Sequence, residues 1–252
     1  MRRPFIAGNW KMYKDVNEAV ALAKELRAAL ADAGEVDIGV ATNAVALASV
    51  AKELEGSNIA VGAQNMYWEA EGAFTGEISA KMILSSGATL VLIGHSERRH
   101  VFGETNEEVR KKLDAALAAG LSPILCVGEL LEDRKAEKTE DVVRSQVGSA
   151  LKDRPADEVA KVTVAYEPVW AIGTGETASP EQAQDVHAFI RKLLASLADE
   201  SVAEKVRIQY GGSVKPGNVD GLMAKPDIDG ALVGGAALKV DMFERIVKFQ
   251  GV

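Results

Sequence analysis

Residues 89–127 read TLVLIGHSERRHVFGETNEEVRKKLDAALAAGLSPILCV, a strand, a helix and a second strand in succession. Thr89–Ile93 is a short apolar run of the kind that forms a strand buried on both faces. Asn106–Ala119 repeats apolar residues at three- and four-residue intervals, which predicts an amphipathic helix. Thr105 offers an oxygen acceptor at the helix start, and Glu108 three residues on reaches back to it. Gly120 stands where that helix must turn. Pro123–Val127 is the second apolar run, so the stretch reads as one repeat of a parallel sheet.

The alternation continues outward on both sides. Strand candidates Phe5–Ala7, Asp37–Ala41 and Ile59–Ala63 come before it, and Val162–Tyr166, Arg207–Tyr210 and Ala231–Val233 after it. Helical patterns cover Val16–Ala33, Thr139–Lys152 and Pro180–Leu197. Asp15 with Glu18, and Ser179 with Pro180 and Gln182, mark two of their starts; Gly34 and Gly87 mark turns. No linker or composition break interrupts the chain, so residues 1–252 are expected to form one domain. Eight strand–helix units point to an α/β fold closed into a (β/α)8 barrel of eight parallel strands, for which about 250 residues is ordinary. An open, doubly wound sheet would alternate in the same way, and counting strands does not separate the two.

Composition narrows the function. Of 252 residues, 47% are hydrophobic and only 5% aromatic, and the formal net charge is −8. An acidic chain without a Lys/Arg run is poorly suited to coat nucleic acid or an anionic membrane. No apolar run approaches the roughly 20 residues that cross a bilayer, and Met1 to Lys14 lacks the apolar core of a signal peptide. The single cysteine, Cys126, lies in an apolar strand and reads as a buried, inert thiol, in keeping with a reducing cytoplasm. There is no phosphate-binding P-loop, no dinucleotide-binding glycine pattern, no His/Cys metal cluster and no serine nucleophile elbow.

In a closed barrel, catalytic groups gather just after the strands, at their C-terminal ends. Asn9-Trp10-Lys11 follows the first strand, His95-Ser96-Glu97 the fourth, Glu167 the sixth, Gly211-Gly212-Ser213 the seventh and Gly234-Gly235 the eighth. Glu167 among apolar neighbours should gain proton affinity once water is excluded, which suits a general base for a carbon acid. Behind it, Pro168–Ala178 has two central glycines between stiffer flanks and reads as a loop with a near hinge at Pro168–Trp170 and a far hinge at Glu176–Ala178, with Gly173 able to bring its N–H close to an anion. His95 at the start of a helical turn should feel the positive end of its dipole and stay neutral, while still donating one hydrogen bond. His187, within a helix, reads as a packing or surface residue. Lys11 beside Asn9 supplies an ammonium to the same rim, and Glu97 could hold it. Two glycine pairs on adjacent strand ends suit a phosphate.

These residues closely resemble one family, triosephosphate isomerase. The resemblance runs from Pro4 to Phe249. It rests on Ala7–Met12, Gly62–Asn65, Ile93–Arg99, Phe102–Thr105, Ala165–Gly175, Tyr210–Val214 and Leu232–Ala236, and the segment around Glu167 is the most specific. It implies a TIM barrel that interconverts dihydroxyacetone phosphate and glyceraldehyde 3-phosphate through an enediolate, without metal or organic cofactor. It further implies that Glu167 carries the proton between carbons, His95 serves the two oxygens, and Asn9 and Lys11 stabilise the oxyanion. Glu97 completes this candidate catalytic set, and Gly173, Ser213, Gly234 and Gly235 would hold the phosphate. The family is dimeric. Its counterpart here is the apolar Gln64–Glu77 loop, in which Gln64, Asn65, Phe74, Thr75, Gly76 and Glu77 would meet the partner, with Thr75 approaching the partner's Asn9 and His95. Glu176 departs from the lysine usual in the family and is expected to alter loop opening or KM. Another phosphate-binding barrel enzyme, or a sugar-phosphate-binding protein without activity, would share the glycine pairs. Neither needs His95 and the Glu167 loop together.

Overall fold

A computed structural model describes residues 2–172 and 177–250. The first half of the chain runs β1 (Phe5–Asn9), α1 (Val16–Ala29), β2 (Asp37–Thr42), α2 (Leu47–Glu53), β3 (Ile59–Ala63), α3 (Ala80–Ser85), β4 (Leu90–Ile93), α4 (Ser96–His100), α5 (Asn106–Ala119) and β5 (Ser122–Val127). The second half runs α6 (Leu131–Lys135), α7 (Thr139–Leu151), α8 (Ala156–Val159), β6 (Thr163–Tyr166), α9 (Pro180–Leu197), α10 (Glu200–Ala203), β7 (Ile208–Tyr210), α11 (Val219–Met223), β8 (Gly230–Val233) and α12 (Val240–Val247). All eight strands are parallel, each beside the next, and β8 pairs back onto β1 from Phe5–Gly230 to Gly8–Val233. That last pairing closes the barrel and removes the open-sheet alternative.

The strands alternate between two apolar environments. Phe5, Ala7, Ala41, Leu90, Leu92, Ile124, Cys126, Ala165 and Leu232 fill the barrel interior. Ile6, Val40, Val61, Val91, Ile93, Leu125, Val164 and Ile208 face the helices, where Leu26, Leu113, Val147 and Ile190 cover them. A strand buried on both sides has no polar face, hence the continuous apolar runs in the sequence. Burial in the interior pushes the Cys126 thiol well above its ordinary pKa, as an inert cysteine requires.

The capping boxes at Asp15, Thr105 and Ser179 all form, each with its partner three residues on. Gly120 ends α5 at φ 82°, in the left-handed region. Helix α1 stops at Ala29, short of the Ala33 expected from periodicity. The carbonyl of Leu30, just beyond the helix, instead accepts from Asn58 Nδ2 at 2.8 Å. β1 runs on to Asn9, two residues past the expectation, because its pairing with β2 continues to Asn9–Ala41. That extension carries the first site residue to the barrel rim.

His187 is a packing residue, fully buried on α9 between Tyr166 and Tyr210. Nδ1–H donates to the Asp227 carbonyl at 3.1 Å, and Nε2 has no partner among the described residues. Burial lowers its pKa from 6.5 to about 4. The unfolded chain therefore takes up a proton that the native chain excludes. This contribution to stability is complete above pH 6.5 and is lost as pH falls to about 4, amounting to about 3 kcal/mol. Denaturant unfolding at pH 7.5 and 4.5 should show the parent losing more than His187→Asn by about that amount; equal losses would contradict the assignment.

Candidate active site

Asn9 is the last residue of β1 and is buried, while Lys11 two residues on is half-buried with φ at 51°. A non-glycine residue there costs roughly 1–2 kcal/mol, so something must hold it. The Lys11 N–H donates to Asn9 Oδ1 at 3.0 Å. Gln64 Nε2, from the end of β3, donates to the Lys11 carbonyl at 2.8 Å and to the Ala41 carbonyl at 3.1 Å. Lys11 Nζ meets Glu97 Oε1 at 2.6 Å, the pairing expected from the sequence. Gln64, expected only as an interface residue, also fixes the strained backbone of Lys11.

His95 caps α4 from the end of β4 and faces Glu167 across the barrel mouth. His95 Nε2 lies 2.9 Å from Glu167 Oε1, and the Ser96 N–H donates to Glu167 Oε2 at 2.8 Å. The Glu97 N–H donates to His95 Nδ1 at 3.2 Å. A ring nitrogen that accepts a hydrogen bond carries no proton, so the imidazole is the neutral Nε2–H tautomer.

The electrostatics of this resting pair correct two expectations. Burial alone would raise the Glu167 pKa, but His95, the Ser96 N–H and Lys11 outweigh it and hold the carboxyl below its ordinary value. Burial likewise opposes charge on His95, yet the Glu167 carboxylate prevails and lifts the proton affinity of the ring. Both shifts belong to the direct contact.

A cavity of about 330 Å³ opens beside the pair, lined by Asn9, Lys11, His95 and Glu167 on one side and by Gly211–Lys215 and Gly234–Ala236 on the other. Gly211 is obligatory: a Cβ there would lie 2.8 Å from Glu167 Cγ and displace the carboxylate arm. Ser213 is half-buried, and its carbonyl accepts from Asn218 Nδ2 at 2.9 Å, which fixes the loop after β7. Gly234 and Gly235 lead into a 3-10 turn, Gly235–Leu238, whose first N–H groups have no partner within the turn. Such a terminus favours an anion. Ile172 lines the same cavity; Gly173 and Glu176, expected at the phosphate and the far hinge, lie outside the described residues.

One buried residue beside the site gave no clear signal in the sequence. Glu129, two residues beyond β5, is a fully buried carboxylate. It accepts from Trp170 Nε1 at 2.9 Å and from Tyr166 Oη at 3.1 Å, while its backbone carbonyl accepts from the Val169 N–H at 3.1 Å. Burial raises its pKa. These contacts tie down Pro168–Trp170, the near hinge read from the sequence; the 3-10 turn there, Val169–Ala171, runs one residue past it. Among Glu132, Asp133 and Arg134, Glu129 resembles a surface residue; its place just after a strand was the available signal.

Proton transfer at a strand-end rim, beside a cavity edged with glycine N–H groups, is work suited to the acid–base enzymes built on (β/α)8 barrels. Within that class the chain belongs to the triosephosphate isomerase family, whose model matches residues 4–250. A triosephosphate isomerase of Carboxydothermus hydrogenoformans is 56% identical over 248 residues, covering 98% of this chain and 99% of the relative. The triosephosphate isomerase of Endomicrobium trichonymphae is 54% identical over 249 residues, covering 99% of both chains. That of Syntrophotalea carbinolica is 54% identical over 252 residues, covering 100% of both.

Proposed function

We propose that this chain interconverts dihydroxyacetone phosphate and D-glyceraldehyde 3-phosphate, with Glu167 as the base that moves a proton between the two carbons. The observation that carries the reading is the Glu167 carboxylate, 2% exposed, bonded to a neutral His95 beside the Lys11 ammonium. The substrate phosphate sits on Ser213, Gly234 and Gly235, with Gly173 joining from the loop. Glu167 leaves the Ser96 N–H, takes a proton from C1, and the carbonyl oxygen on C2 becomes an oxyanion. Lys11 and Asn9 stabilise that charge, held by Glu97 and Gln64. His95 Nε2–H protonates the C2 oxygen, and the imidazolate so formed takes the hydroxyl proton from O1 back onto Nε2, which gives the alternative enediolate. Glu167 then returns its proton to C2 and the aldose forms.

Several groups are needed because none suffices alone. A positioned base gives roughly 10²–10⁴ in rate, and one oxyanion donor about 3–4 kcal/mol. A closed loop also excludes water and keeps the enediolate from losing phosphate. An assay that couples dihydroxyacetone phosphate formation from D-glyceraldehyde 3-phosphate to a dehydrogenase tests the reading. Turnover is expected with no added metal or cofactor; binding without turnover would leave only a sugar-phosphate receptor.

The active unit in this reading is a cytoplasmic homodimer that binds neither nucleic acid nor membrane. Among the described residues no helix is long and apolar enough to cross a membrane. Met12 is 94% and Phe102 68% exposed, and Phe74 and Val101 are also exposed. Met12 and Phe102 line a further cavity of about 380 Å³ with Asn65, Gly76, Glu77 and His95. Exposed apolar groups around a cavity favour a protein partner, and Thr75 at the tip of Gln64–Glu77 is the group suited to enter it. Sedimentation at micromolar concentration should give twice the chain mass; a monomer would refute the dimer.

A further inference from the structure

The near hinge and the catalytic base share one support, the Gly128–Glu129 dipeptide just beyond the last register pair of β5 with β6, Val127–Tyr166. Gly128 is pressed against the base's backbone: a Cβ there would lie 1.7 Å from the Glu167 carbonyl oxygen, a distance no side chain could tolerate. The Glu167 N–H donates to the Val127 carbonyl at 2.7 Å, and Glu129 carries the bonds to Tyr166, Val169 and Trp170. A shift of this dipeptide would therefore move Glu167 and Trp170 together.

On the side of α7, Gln146 holds the dipeptide. Gln146, buried on α7, accepts from the Gly128 N–H through Oε1 at 2.7 Å and donates to the Gly128 carbonyl through Nε2 at 3.1 Å. A primary amide is suited to this task, since it offers an acceptor and a donor side by side, as a neighbouring strand would. We propose that Gln146 is a positioning residue for the proton transfer, acting through Gly128 to fix the backbone of Glu167 and the hinge at Trp170. It rests on the isomerase reading for its kinetic consequence and on geometry alone for the hinge.

The test compares Gln146→Leu and Gln146→Glu with the parent. Leucine removes both bonds, and a misplacement of order 1 Å at the reacting groups costs about 10²-fold. Gln146→Leu should therefore lose about 10- to 100-fold in kcat with KM within two-fold, because the phosphate contacts on β7 and β8 are untouched. A kcat within two-fold of the parent, or a KM that rises in step with the loss, overturns the proposal. Glutamate is isosteric but bonds both groups of Gly128 only when protonated. The deficit of Gln146→Glu should shrink from pH 9 to pH 6; a flat ratio overturns the proposal, and this arm decides if Gln146→Leu does not fold.

With 5-fluorotryptophan in all three positions, the ¹⁹F resonance of Trp170 should move in either variant, while those of Trp10 and Trp68 stay. An unmoved Trp170 resonance also overturns it. If the parent does not isomerise triose phosphates, the functional reading fails, and the Trp170 resonance still decides the role of Gln146 at the hinge.

Discussion

Glu167→Asp should lower kcat about 10²- to 10³-fold and leave KM within a few-fold. The substitution keeps the charge and the chemistry of the base but withdraws its carboxylate by one C–C bond, roughly 1.5 Å. The backbone cannot follow to compensate, because the Glu167 N–H is bonded to Val127 and its carbonyl is packed against Gly128. The lost contact is the one that matters in the transition state, where misplacement of that size costs about 10²-fold or more. In the proposed mechanism other residues, Ser213, Gly234 and Gly235, hold the phosphate, so the loss falls on kcat. Steady-state kinetics on the folded variant decide it, and an unchanged kcat would remove Glu167 from the mechanism.

Lys11→Met should be at least as severe, with kcat/KM down about 10³-fold or more. The ammonium pairs with Glu97 and lines the cavity with His95, where in the proposed mechanism the oxyanion develops. Its loss removes one preorganised charge, about 3–4 kcal/mol in a site shielded from water. It also leaves Glu97 and Glu167 facing an anionic substrate, so KM rises as well as kcat falling. Methionine preserves the length of the arm and the left-handed backbone that Asn9 and Gln64 hold, so the melting temperature should stay close to the parent's. A variant with normal kcat/KM would show that Lys11 serves only the Glu97 pair.

Most of the barrel could be read from the sequence because each repeat is a local statement. Thr105 with Glu108, and Gly120 after α5, are decided by residues that touch one another. Closure was not local: it depends on Phe5 meeting Gly230. The same division holds in the site. Asn9, Lys11, His95 and Glu167 announced themselves by standing at strand ends. Glu129 and Gln146 did not, since Glu129 hides in an acidic stretch and Gln146 resembles any polar residue on an amphipathic helix. Their roles exist only because β5, α7 and the hinge come together in space. The pKa directions of His95 and Glu167 failed for a related reason. Each group's environment was read without the other, and their contact at 2.9 Å dominates both.

In the proposed mechanism a proton, and not a hydride, moves between the two carbons, carried by the Glu167 carboxylate. Isomerisation of D-glyceraldehyde 3-phosphate in D₂O, followed by ¹H NMR, tests this most directly. A proton held on a carboxylate exchanges with solvent, so dihydroxyacetone phosphate should appear with deuterium on C1 in at least part of the product. Product free of deuterium, or no dihydroxyacetone phosphate at all, would contradict the account.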